Sequence, residues 1–188
     1  MISFEEVYRL ADKSSAEVAF NRGEMSIMYD LLTNLIDNAN VVEIGIQFGR
    51  STTVIGLIAK EKNFHFTAVD NWREDVSSEA RAHVDKVLIK ELKLPIHIID
   101  STSRSAAHKY KRDIDFIHID GDHTFNGVIT DMEKWLPKVC KGGYVCFDDY
   151  GHDSLPDVYE AVSLYMKNHP EFRYIGRYGN KLGVFERV

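Results

Sequence analysis

Apolar and polar positions along the chain follow two alternating rhythms: short, nearly continuous apolar runs, and longer stretches with apolar residues at helical spacing. Residues 40–46 (NVVEIGI) are rich in β-branched side chains and close on Gly45; residues 50–61 behind them are helical in spacing, with Ser51 near the turn as a cap. The unit recurs as 64–70 followed by 77–92, then as 95–100 followed by a short helix around 103–110. It recurs again as 113–120 followed by 125–139, where Val128, Met132 and Trp135 share a face, and as 142–149 followed by 155–169, where Val158, Val162, Tyr165 and Met166 do. Five strand-then-helix units with strands apolar on both faces predict a mostly parallel sheet covered by helices on both sides and joined by right-handed crossovers. This is a doubly wound, Rossmann-like α/β architecture.

The two ends depart from that rhythm. Residues 172–178 and 181–188 flank Gly179 and Asn180 and predict an antiparallel β-hairpin added to the sheet edge. Residues 24–37 are amphipathic and predict a helix leading into the first strand, and residues 4–21 predict another helix ahead of it, placed to cover a site. The chain therefore reads as one domain over 1–188, with a helical segment over 1–38 and the α/β core over 39–188.

Composition narrows the function classes. With 44% hydrophobic and 28% charged residues, no apolar tract long enough to span a bilayer and no charged-then-apolar leader, the expectation is a cytoplasmic protein without a membrane partner. A net charge of −6, with KYKR at 109–112 as the one local basic cluster, argues against a nucleic-acid partner, because phosphate contacts need clustered Lys and Arg. The two cysteines, Cys140 and Cys146, form no CxxC pair and read as reduced thiols.

In an open parallel sheet, ligands bind beyond the carboxyl ends of the strands, so the residues there carry the functional reading. The first end supplies Glu43, Gly45, Gln47, Gly49 and Ser51. It is not a GxGxxG dinucleotide loop: Gln47 stands where the second glycine would admit a pyrophosphate, and a carboxylate precedes the turn. A cationic amino-acid portion suits it better, with the following helix N-terminus free to receive a carboxylate. The second end supplies Asp70, Asn71 and Trp72: an acid spaced to accept both hydroxyls of an adenosine ribose, and an indole that either lies against a purine or sits at a boundary. Asp100 and Ser101, at the third end, either read an adenine amino group or cap a helix.

The fourth and fifth ends are acidic. Asp120 on one strand and Asp148 and Asp149 on its neighbour bring three carboxylates together, a repulsion that a divalent cation among them relieves. Oxygen-only ligands select Mg²⁺, with Mn²⁺ or Ca²⁺ as alternatives. His123, three residues past Asp120, is placed either to take a proton as general base or to serve as a structural hydrogen-bonding residue; Asp122 is either a rival base or a supporting group. His118, inside the strand, reads as a core histidine.

The segments VVEIGIQFGRST, AVD and IDFIHIDGDHTFNGVITDMEKWLPKVCKGGYVCFDDY together resemble the class I S-adenosylmethionine-dependent methyltransferases. They resemble in particular the small metal-dependent O-methyltransferases of antibiotic and sugar tailoring. The likeness spans residues 24–166 and is most specific over 115–150. It implies S-adenosylmethionine as cofactor, with Glu43, Gly45 and Gly49 at its methionine portion, Asp70 at the ribose and Asp100 or Ser101 at the adenine. It further implies a metal held by Asp120, Asp148 and Asp149, and His123 as the base where the catechol and plant enzymes keep a lysine. Gln47 and Phe48 depart from the smaller residues many members carry, and Asp148–Asp149 from the Asp-Asn of catechol-type enzymes. The N-terminal segment is short for a tailoring enzyme, which implies a reduced substrate lid or one supplied by a second subunit of a homodimer. The expected activity is methyl transfer to a hydroxyl of a small molecule. Its rivals are a metal-assisted hydrolase on the same carboxylates and a non-catalytic cofactor-binding module.

Overall fold

The computed structural model describes residues 1–14, 20–72 and 77–188. The β-branched and aromatic runs form five parallel strands: β1 (Asn40–Ile44), β2 (His65–Asp70), β3 (Ile96–Asp100), β4 (Ile114–Ile119) and β5 (Val139–Phe147). The tail forms the expected hairpin, β6 (Phe172–Tyr178) and β7 (Leu182–Arg187), with β7 antiparallel to β5 and β6 at the outer edge. The sheet order is β3-β2-β1-β4-β5-β7-β6, so strand order reverses between β1 and β4. That is where a doubly wound sheet opens a crevice.

Helices α1 (Phe4–Ser14), α2 (Arg22–Asn34) and α3 (Arg50–Lys62) cover one face. There Met25, Met28, Leu32, Ile55 and Ile58 pack with Phe66 and Phe116 of the sheet, all buried. Helices α5 (Ser103–Lys109), α6 (Phe125–Trp135) and α7 (Pro156–Lys167) cover the other, burying Val128, Met132, Trp135, Val158 and Val162 against Ile117, Val145 and Phe147. The chain between β2 and β3 carries α4 (Ser77–His83), which continues as a π-helical stretch over Val84–Glu91. The single helix expected over 77–92 thus changes winding halfway, with Val84 and Leu88 buried. No described helix is long and apolar enough to cross a membrane.

Local details differ from the expectations for identifiable reasons. The helix expected over 4–21 ends at Ser14 where described, residues 15–19 lie outside the described chain, and Asn21 instead caps α2. Asn21 accepts from the Gly23 and Glu24 amides while Glu24 accepts from the Asn21 amide, a reciprocal capping box. Ser51 does not cap α3. Gly49 holds that position in a left-handed conformation, and the Ser51 hydroxyl donates to Glu43 Oε1 at 2.6 Å. The cap of α5 is Thr102, not Asp100 or Ser101, and that of α6 is Thr124.

Candidate functional site

A cleft of about 770 Å³ opens at the carboxyl ends of the strands. Its walls include Gly45, Gln47, Ser51, Asp70, Asn71, Trp72, Ser101, Asp120, His123, Asp131 and Asp148. The strand ends are tied together by backbone hydrogen bonds that run on past the ladders. Asp120 N–H donates to Ile44 (2.8 Å), Asp148 N–H to Ile119 (3.0 Å) and Ser101 N–H to Asp70 (3.0 Å). The functional residues are therefore carried by the rigid rim of the sheet. Gly45 sits at the crossing point with φ 89°, and a Cβ there would lie 1.8 Å from the Asp120 carbonyl oxygen, so the β1 turn and the β4 end approach backbone to backbone.

Asp70 organises the half of the cleft nearest β2. Its Oδ2 accepts from the Ile46 and Gln47 amides at 2.8 and 3.0 Å, and its Oδ1 from the Trp72 amide at 2.8 Å. One carboxylate thus braces two loops, while the residue still faces the cleft. Trp72 has φ 42° and lines the cleft with its ring under the Arg81 guanidinium, 4.5 Å from centroid to carbon, and its indole N–H is buried without a partner. Glu43 is fully buried below the cleft floor and does not line it. Besides Ser51 it faces His118 Nδ1 at 3.3 Å, leaving Glu43 Oε2 and His118 Nε2 buried and unpartnered. Burial alone would push the His118 imidazole down, but the bond to Glu43 and its charge outweigh it and raise it. Gly49 is likewise off the cleft, packed where a side chain would meet Leu88 at 2.6 Å, and Asp100 is exposed and 3.7 Å from Arg81.

The other half is a compact acidic cluster. His123 Nε2 lies 3.1 Å from Asp120 Oδ1 and 3.2 Å from Asp149 Oδ2, and ligand atoms of these three residues all fall within 4.8 Å of one another. Asp148, the third expected carboxylate, is not part of that group, where His123 stands in its place; it is 4% exposed, with Oδ1 unpartnered and Oδ2 accepting from Lys181 Nζ at 3.1 Å. Lys181 Nζ also donates to Asp149 Oδ1 at 2.8 Å. Burial and the nearby Asp120 charge push the Asp148 carboxyl up to about 7. Burial acts upward on Asp120 too, but the bond from His123 and the charges of His118, His123 and Lys181 hold it below its usual range. His123 is raised, first by its bond to Asp120 and then by the charges of Asp120, Asp149 and Asp148. Asp122 turns away from this cluster: its Oδ1 accepts from the Thr124 amide at 2.9 Å and its side chain packs over Gly127.

Two site residues escaped the sequence reading. Lys181 lies in the β6–β7 turn, 33 positions from Asp148, and no local pattern announces such a contact. Asp131 lines the cleft from α6, nearly buried, and burial pushes its carboxyl up to about 6 against the lowering bond from Ser103. Its signal was present: it interrupts the apolar face of Val128, Met132 and Trp135.

The methyltransferase-domain family matches residues 42–150, which run from within β1 past the end of β5 and include every acidic strand end. The chain belongs to this family of class I S-adenosylmethionine-dependent methyltransferases. The rhamnosyl O-methyltransferase of Mycobacterium tuberculosis is 25% identical over 165 residues, covering 82% of this chain and 66% of that protein. The chain thus aligns with just under two thirds of that relative's length. Among solved structures, the TDP-rhamnose 3'-O-methyltransferase CalS11 of calicheamicin biosynthesis superposes with a TM-score of 0.61 at 13% identity, over 97% of this chain and 92% of that one. A cofactor-bound structure of the MTB protein Rv0187 gives 0.71 at 13% identity, over 96% and 87%. These likenesses show that the fold is that of the family.

Proposed function

We propose that this methyltransferase moves the methyl group of S-adenosylmethionine to a hydroxyl of a small molecule, assisted by a divalent cation, with His123 as the base. The observation that carries the reading is the convergence of Asp120, His123 and Asp149 on one point at the strand-order reversal, beside a cleft large enough for a nucleoside cofactor. The name of the rhamnosyl relative supports an oxygen acceptor and makes a sugar hydroxyl the first class to try. A net charge of −6 counts against a nucleic-acid acceptor.

The residues present fit a hard divalent cation: three carboxylates crowd one corner, and Asp148 keeps a buried oxygen with no partner. Asp120, Asp148 and Asp149 would hold it, and Mg²⁺ suits an all-oxygen set, with Mn²⁺ or Ca²⁺ as substitutes. When bound, such a cation supplies positive charge that offsets the carboxylates and lowers the pKa of an acceptor hydroxyl.

The remaining work falls to the chain's own groups. Asp70 holds the β1 and β2 loops in register, presenting its carboxylate toward a ribose, and Trp72 and Ser101 line the wall beyond it. For this role His123 Nε2, which faces Asp120 and Asp149, has to turn in its neutral form toward the acceptor and take the hydroxyl proton as the oxygen attacks the methyl carbon. The carbon–sulfur bond then breaks with its electron pair going to sulfur, leaving S-adenosylhomocysteine. Holding oxygen, carbon and sulfur in line supplies much of the acceleration, because the sulfonium is already a reactive donor. Phe20 lines the cleft and its carbonyl accepts from Arg50 Nε at 2.9 Å, which supports a contribution to the lid from within one chain.

Calorimetric titration with S-adenosylmethionine, with and without Mg²⁺, followed by mass-spectrometric screening of hydroxyl acceptors, tests the reading. Cofactor binding and methylated product dependent on Mg²⁺ are expected. No cofactor binding would overturn it in favour of a hydrolase, and cofactor binding without turnover on any acceptor would favour a binding module.

A further inference from the structure

Two oxygens of the acidic cluster are already engaged by a cation of the chain's own. The Lys181 ammonium lies 3.1 Å from Asp148 Oδ2 and 2.8 Å from Asp149 Oδ1, with only 14% of its side chain exposed. It reaches them from the β6–β7 turn, and that turn is clamped from its far side. Asn21 Nδ2 donates to the Gly179 carbonyl at 2.5 Å, and the α2 backbone lies so close that a Cβ on Gly179 would be 2.6 Å from the Glu24 amide nitrogen. Long lysine side chains at a surface turn ordinarily sample many rotamers in water. Here the turn is anchored by the α2 capping box and the ammonium by two carboxylates, while Asp148 Oδ1 stays buried with no partner of its own.

We propose that Lys181 is a positioning residue that occupies the Asp148 and Asp149 oxygens in the metal-free protein and thereby sets the cluster's affinity for a divalent cation. The proposal rests on the metal-assisted reading of this site. An ammonium and a divalent cation cannot both lie about 3 Å from the same oxygens without strong mutual repulsion. A divalent cation on the unpartnered Asp148 Oδ1 and on Asp149 Oδ2 would still lie within a few ångströms of the ammonium, so the Lys181 charge is subtracted from the metal's own affinity whether or not the ammonium leaves. The arrangement keeps a buried carboxylate paired when no metal is bound, which a cluster of acids alone could not do.

Manganese titration of the full chain, read by electron paramagnetic resonance and by calorimetry, tests this with the wild type and the variants Lys181→Met, Lys181→Gln and Lys181→Arg. S-adenosylhomocysteine binding serves as an independent check that each is folded. The two neutral variants are expected to bind Mn²⁺ about tenfold tighter or more, and the arginine variant within about threefold of wild type. Equal or weaker Mn²⁺ binding by a folded neutral variant, with the wild type still binding, overturns the role of Lys181 and leaves the metal-assisted reading standing. Tightening of the arginine variant as large as that of the neutral ones overturns it as well. Absence of Mn²⁺ binding in every variant and the wild type overturns both together.

Discussion

The backbone of Gly45 passes so close to Asp120 that a single added carbon would sit 1.8 Å from the Asp120 carbonyl oxygen. This contact joins the turn after β1 to the acidic cluster. Gly45→Ala adds that clash to the strain of φ 89°, and with backbone on both sides neither can yield cheaply. Its expected cost is roughly 3 kcal/mol or more in urea denaturation. Gly142→Ala is the control, since it has φ 82° but nothing within 4 Å of the added carbon; about 1 kcal/mol is expected there. Equal costs at the two positions would show that the close approach is not what Gly45 is needed for.

His123→Ala should lower turnover by about 10²- to 10⁴-fold, the usual contribution of a positioned base, while cofactor affinity changes by less than about threefold. Asp122→Ala, with its side chain committed to the Thr124 amide, should retain most turnover. Comparable losses of turnover and cofactor affinity in the His123 variant would assign the imidazole to structure instead.

Asp70→Ala removes the acceptor of three backbone N–H groups and the carboxylate proposed to meet the cofactor's ribose. Hydrogen bonds to a charged group contribute about 1.5–3 kcal/mol each, so cofactor affinity should fall by about 10- to 100-fold or more. Calorimetry with S-adenosylhomocysteine reads this without turnover. An affinity within twofold of wild type would remove Asp70 from the cofactor site.

Glu24 gives a pH dependence whose sign is fixed by burial. Removal from water pushes its carboxyl from 4.5 up to about 7, against the lowering effects of the Asn21 amide and the Lys181 charge. A folded-state value above the unfolded one means the contribution to stability is fully present below about pH 4.5 and is lost as pH rises through about 7. Glutamine at this position can still close the capping box. Between pH 5 and 8, Glu24→Gln should therefore gain stability relative to wild type by on the order of 2 kcal/mol, measured by urea unfolding at each pH. A difference that stays constant across that range would show that Glu24 ionises in the fold as it does in water.

The legible parts of the molecule were those with local period. Each strand from β1 to β5 is announced by a short apolar run, although β5 begins at Val139, inside the stretch expected to be helical, and the hairpin is announced by Gly179 and Asn180 between two apolar runs. Asp70, Asp120, Asp148 and His123 were readable as cleft residues because a parallel sheet delivers the residues at its strand ends to one rim. Glu43 was readable as belonging to the strand but not as turned under the cleft, because its direction depends on how His118 and Ser51 pack around it. Trp72 is legible as an aromatic at the rim, yet its partner Arg81 comes from a helix nine positions on.

By itself the sequence determined the order and kind of elements, the carboxyl-end location of the site and its acidic character, because these follow from side-chain periodicity and from which residues end each strand. The tertiary structure alone decided which charges meet. Lys181 lies with Asp148 and Asp149, and Asn21 holds Gly179 from the opposite end of the chain. Such pairings join residues far apart in the chain, and their geometry is set by sheet order and helix packing, which no local spacing encodes.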